Sequence, residues 1–83
     1  MERRIIYTRH ARRRMKLYEI AIDDVEEVIK SPDSEHRMER NRYIALHIIG
    51  SKFKGMPLKV IYMLENVNLV VLSAYPLKKS YRR

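Results

Sequence analysis

Cysteine is absent from these 83 residues, which excludes disulfides and thiolate metal sites. The two glycines, Gly50 and Gly55, stand apart, so there is no glycine-rich loop to cradle a phosphate. No run reaches the roughly 18 apolar residues of a membrane span, and the basic N-terminus is not followed by the apolar segment of a signal peptide. These absences predict a soluble, cytoplasmic protein. Histidines at the spacing of a metal site are missing too: there is no His-x-x-x-His or His-x-Glu, and Glu35-His36 is one adjacent pair on a polar stretch. Neither metal nor cofactor is expected. Acidic residues are in deficit, with 10 Asp and Glu against 18 Lys and Arg, a net charge of +8. That balance favours a polyanion or an acidic protein as partner.

A chain this short forms one domain and buries only about 60 to 65 per cent of the surface exposed when unfolded. A narrow stability margin follows, so a partner or a homodimer is expected on that ground as well.

Taken in order, the first helix is predicted over about residues 9 to 17, with Thr8 as N-cap and Ala11 and Met15 as a short buried stripe. A second helix opens near Ile22-Asp23-Asp24-Val25-Glu26, with Asp23 as cap, Glu26 closing a capping box, and Val25, Val28 and Ile29 on its apolar face. Its carboxylates Asp23, Asp24, Glu26 and Glu27 are read as helix capping rather than a metal or catalytic pair. Ser31-Pro32-Asp33 stops the helix, because the residue before proline is pushed out of the α region.

Strand patterns follow. Ser34 to Glu39 reads as a short edge strand, and Arg42 to Ile49 as a full one on which Ile44, Leu46 and Ile48 alternate onto a single face. If that face meets the helices, His47 and Tyr43 point to the open side and Arg42 to the helix side. Residues 50 to 57 form a loop, Leu58 to Leu64 the next strand, Asn66-Val67-Asn68 a tight connection, and Leu69 to Tyr75 a last, most apolar strand that Pro76 ends. The tail 78–83, with Lys78 and Lys79, is basic, too poor in apolar residues to pack, and expected to be flexible. The fold class is α+β: two N-terminal helices packed on one face of a three- to four-stranded antiparallel sheet, a single domain over residues 1–77.

The candidate chemistry gathers on the first helix. His10 and Arg14 are i and i+4 neighbours about one residue's rotation from the Ala11/Met15 stripe, a position at the edge of the buried face. Histidine exchanges protons near neutral pH, and the planar fork of arginine holds phosphate oxygens. The plainer reading is a solvated basic helix face. His47 is the rival histidine. Ser73 and Tyr75 share a face of the last strand, where a hydroxyl and a base-stacking ring would be presented together. The plainer reading of Ser73 is a small residue fitting under the first helix, and of Tyr75 a core aromatic.

Thr8-x-His10-Ala11-x-x-Arg14-Met15, the acidic start Ile22-Asp23-Asp24-Val25-Glu26-x-Val28-Ile29 ending at Pro32-Asp33, the Arg42-Tyr43 strand entry, Leu58-Lys59-Val60-x-Tyr62 and the closing Val71-Leu72-Ser73-Ala74-Tyr75 together resemble a small bacterial and archaeal domain family of unknown function. The layout is similar to BrnT-like toxins and, more distantly, to RelE-like toxins of the barnase-related ribonuclease superfamily. The resemblance implies a RelE-like sheet whose helix-free face holds RNA, and metal-independent cleavage by attack of the ribose 2'-hydroxyl. It implies His10 as acid or base, Arg14 and Arg42 as phosphate holders and Ser73 as a hydroxyl near the scissile phosphate. Arg13, His47, Lys59, Tyr75, Lys78 and Lys79 complete the expected RNA-binding set. The implied partners are RNA, including mRNA on the ribosome, and an acidic antitoxin. The competing expectation is a non-catalytic basic module for RNA, ribosome or an acidic protein.

Overall fold

The computed structural model describes residues 4–78. A strand precedes the first helix: β1 (Arg4–Tyr7) leads through Thr8 into α1 (Arg9–Leu17), followed by α2 (Ile22–Lys30), β2 (Ser34–Arg37), β3 (Arg42–Ile48), β4 (Pro57–Glu65) and β5 (Asn68–Pro76). The architecture is α+β, with two helices and one five-stranded mixed sheet in the order β1-β5-β4-β3-β2.

The expected three or four antiparallel strands are therefore five, because β1 adds to the outer edge of β5 in parallel, Arg4 opposite Asn68 through Tyr7 opposite Val71. Its Arg-Ile-Ile-Tyr run is too short to announce itself, and its hydrogen bonds come from the far end of the chain. The remaining pairs are antiparallel, as expected of hairpin-connected strands.

Thr8 joins sheet to helix. Its backbone N–H continues the ladder onto the Val71 carbonyl at 3.1 Å, and its hydroxyl accepts from the Ala11 N–H at 3.1 Å as N-cap while donating to the Leu72 carbonyl at 3.2 Å. Leu72 needs that donor. Between β4 and β5 the register shifts, with Ile61 facing Ser73 but Tyr62 facing Val71, so Leu72 is the extra residue of a β-bulge.

The α2 cap differs from the expected one. Ala21, not Asp23, is the N-cap, and its backbone N–H donates to Asp24 Oδ2 at 3.0 Å. Asp24 thus takes the place in the third helical position that Glu26 would have held from a cap at Asp23, and Lys52 Nζ binds the same oxygen at 2.6 Å.

The core lies between the helices and one face of the sheet: Ala11, Met15, Val25 and Val28 meet Ala45, Leu58, Val60, Leu69 and Val71. Register then assigns the faces. Tyr43 and Ala45 lie opposite Tyr62 and Val60, so β3 presents Tyr43, Ala45 and His47 to the helices, and Ile44, Leu46 and Ile48 to the open side. The expected assignment is reversed. Ala45 is fully buried, and a small residue there lets α2 approach the sheet.

Candidate nucleic-acid interface

The β-bulge and the end of β1 decide where α1 sits. β1 pairs with β5 only as far as Val71, so the last part of β5, Ser73 to Pro76, has no strand beyond it, and α1 leaves Thr8 to pack on β5. Arg14 of α1 is thereby brought to the corner where β5 ends.

At that corner Arg14, Lys59 and Tyr75 come together. Lys59 lies opposite Tyr75 across the β4–β5 ladder, with its ammonium 5.4 Å from the ring centroid. From α1, the Arg14 guanidinium carbon lies 5.6 Å from the same centroid. Two cations from different elements thus sit within cation–π range of one half-buried ring. Ser73, two residues earlier on the same face, lies opposite Ile61 and is buried, with 8% of its surface exposed.

His10 and Arg13 are exposed on α1. The expected half-shielded place for His10 is not what forms: Arg14 is partly covered, and His10, one turn earlier, faces solvent. No hydrogen-bond or ion-pair partner holds the His10 ring among the described residues.

Other expected site residues lie elsewhere. Arg42 is on the open side, not the helix side, but at the far end of the sheet opposite Met63, and its guanidinium pairs with Glu39 at 3.6 Å. His47 faces α2 rather than the open side. Its Nε2 meets Glu27 Oε2 at 2.9 Å, and its Nδ1 stands 3.3 Å from Asp33 Oδ2 without hydrogen-bond geometry. A ring flanked by two carboxylates is badly placed to receive phosphate, and it ties β3 to α2 and to the turn after it. Lys78 is exposed and lines a groove with Tyr18, Phe53 and Lys54. Lys79 and the remainder of the tail lie outside the described residues.

A group of carboxylates lies on α2 and the turn after it. Glu27 and Asp33 flank His47, and Asp23 and Glu26 act on Tyr7. The Tyr7 hydroxyl is buried with no hydrogen-bond partner among the described residues. Burial first, then the charges of Glu26 and Asp23, raise its pKa above the ordinary tyrosine value. Sequence reasoning gave Tyr7 no role. The only signal was its place beside Thr8, which means little until β1 is known to be a strand.

Among the described residues, no three His, Cys, Asp or Glu side chains form a group able to hold a metal ion. No helix among them is long and apolar enough to cross a membrane.

Residues 7–76 match one family model, described as a domain of unknown function, DUF4258. No curated protein and no solved structure matches the chain.

Proposed function

The chain belongs to the DUF4258 domain family, and from the geometry of its basic corner we propose that it binds single-stranded RNA there and cuts it without a metal ion. The observation that carries the reading is the Tyr75 ring with Arg14 and Lys59 beside it. A ring offers a stacking surface to any base, and cations around it neutralise the phosphates on either side, which is how single strands are commonly held. Arg13 extends the positive surface along α1, and the net charge of +8 draws a polyanion to it from a distance.

Cleavage follows from placing His10 one turn before Arg14. A base removes the proton of the ribose 2'-hydroxyl, the oxygen attacks the adjacent phosphorus, and the 5'-oxygen leaves as it takes up a proton. The products are a 2',3'-cyclic phosphate and a free 5'-hydroxyl. In this scheme His10 carries the proton from the 2'-oxygen to the leaving 5'-oxygen, and Arg14 and Lys59 stabilise the charge that builds on the phosphoryl oxygens, with Ser73 on the same strand face as Tyr75. The unrestrained His10 ring favours a second reading, a module that holds RNA at the same corner without cutting it.

A cleavage time course with purified protein in EDTA at low salt, beside His10→Ala, separates the two. Cleavage that persists in EDTA and is lost in the variant is the outcome expected of the ribonuclease. RNA bound but uncut by either protein leaves the module. Equal cleavage by both proteins removes His10 from the chemistry.

A further inference from the structure

The reversed faces of β3 have a second effect: on the side of the sheet away from the helices, a central band is apolar, bordered on β2 by Ser34 and His36. Cross-strand register places Ile44 beside Ile61, and Met63 beside Val70, which in turn lies beside Ile6. Leu46 extends the patch toward Lys59. Ile6 is 38% exposed, and Ile44, Leu46, Ile61, Met63 and Val70 are half-buried, shielded by their neighbours on the sheet. The helices pack on the other face, against the buried core. Contiguous apolar patches on a protein surface are where partners commonly dock.

Shape and charge select what covers it. The apolar residues are concentrated on β3, β4 and β5, whose outer axes are about 10 Å apart at the usual strand spacing, which is about the diameter of one α-helix. Cations stand at both ends of the band: Lys59 with Arg14 at the Tyr75 corner, and Arg4 and Arg42 at the other end. Of the carboxylates, Glu65 is on this face, and Glu39 pairs with Arg42. A second copy of the chain would bring +8 against +8 and set these cations against their equivalents. Nor does an aliphatic band suit a nucleic-acid backbone, whose phosphates require cations along their length rather than at the two ends.

We propose that the open face of the sheet is the docking surface for an amphipathic, acidic helix of a partner protein, its apolar stripe on Ile44, Ile61, Met63 and Val70 and its carboxylates toward the cations at either end. This goes beyond the RNA reading and does not depend on it. Where both hold, the helix reaches Lys59 and competes with RNA for the Tyr75 corner.

The test uses a fluorescein-labelled, stapled helical peptide with leucines at i, i+3, i+4 and i+7 and glutamates flanking them, with a lysine-flanked version as control. Binding to the full chain is read by anisotropy, self-association by sedimentation velocity, and folding by circular dichroism. The glutamate peptide binds at micromolar concentration and the lysine peptide does not. Ile61→Glu and Met63→Glu each weaken binding by about tenfold or more, the size of effect seen at the centre of an interface, while melting as the parent does. Tyr75→Ala leaves peptide binding largely intact, so failure of the RNA reading does not affect this result. Three outcomes overturn the proposal: no binding of the glutamate peptide, equal binding of both peptides, or a dimer that Ile61→Glu and Met63→Glu dissociate. So does a loss of RNA affinity in Ile61→Glu as large as that in Tyr75→Ala, which would give the face to RNA.

Discussion

Thr8 closes three backbone needs with one side chain and one amide: the β1–β5 ladder, the first turn of α1, and the carbonyl left over by the Leu72 bulge. Thr8→Ala removes the last two, and chemical denaturation is expected to show a loss of about 1 to 2 kcal/mol. Thr8→Ser retains both bonds and most of the stability. Tyr7 presents the opposite case, a buried hydroxyl with no partner among the described residues. Tyr7→Phe is expected to be neutral or to stabilise by up to about 1 kcal/mol at neutral pH, since an unsatisfied polar group is removed at little cost in shape. Its pKa is raised in the folded state, chiefly by burial. The native form therefore keeps its proton more tightly than the unfolded chain, so the contribution is complete below the unfolded value and is lost as pH rises through the folded one. Denaturation midpoints should fall on the alkaline side of the ordinary tyrosine range, and less steeply in Tyr7→Phe. The cap at Thr8 and the bounds of α1 were legible because both are local: a hydroxyl, then Ala11 and Met15 four residues apart. The partners of His47 were not, because Glu27 and Asp33 meet it only after α2 folds back over β3.

Elements were easier to find than to orient. Both helices and four of the strands announce themselves by period and by punctuation at Pro32 and Pro76, whereas β1 exists only through pairing with residues more than sixty positions later. The face of β3 was misread for a physical reason. Ile44, Leu46 and Ile48 carry more apolar surface than Tyr43, Ala45 and His47, yet space beneath α2 selects the small Ala45, and two carboxylates accommodate His47. The start of α2 makes the same point on a smaller scale. Asp24 is buried and serves both Ala21 N–H and Lys52, while Asp23 is exposed. Asp24→Ala should therefore destabilise by about 1 to 3 kcal/mol in urea titration, and Asp23→Ala by a few tenths, as expected for dipole stabilisation alone. A chain in which the two substitutions cost the same would return the cap to Asp23.

Across the whole molecule two groups of charge stand out. Carboxylates lie on α2 and the turn after it, at Asp23, Glu26, Glu27 and Asp33, and Arg14 and Lys59 meet at the corner where β5 ends. Composition predicted an anionic partner but not its place, since eighteen cations in sequence look alike. Register and packing bring Arg14 and Lys59 to Tyr75, with Arg13 exposed beside Arg14 on α1. Of the expected catalytic residues, Arg14 joins this group, Ser73 lies on the same face as Tyr75, and His10 is exposed one turn from Arg14. If the corner binds RNA, three neutralised phosphates give a salt dependence with a slope of about −2 in log K against log salt. Removing two of those cations should reduce its magnitude by about 1.4. The most direct measurement is the affinity for a short labelled single-stranded oligoribonucleotide across a salt series, for the parent chain, Tyr75→Ala and the double variant Arg14→Gln/Lys59→Gln. The prediction is a loss of about 1 to 3 kcal/mol in Tyr75→Ala with its slope unchanged, the loss of one stacked base, and a shallower slope in the double variant. Affinity and slope that are the same in all three proteins would contradict it and remove the Tyr75 corner as the place where RNA binds.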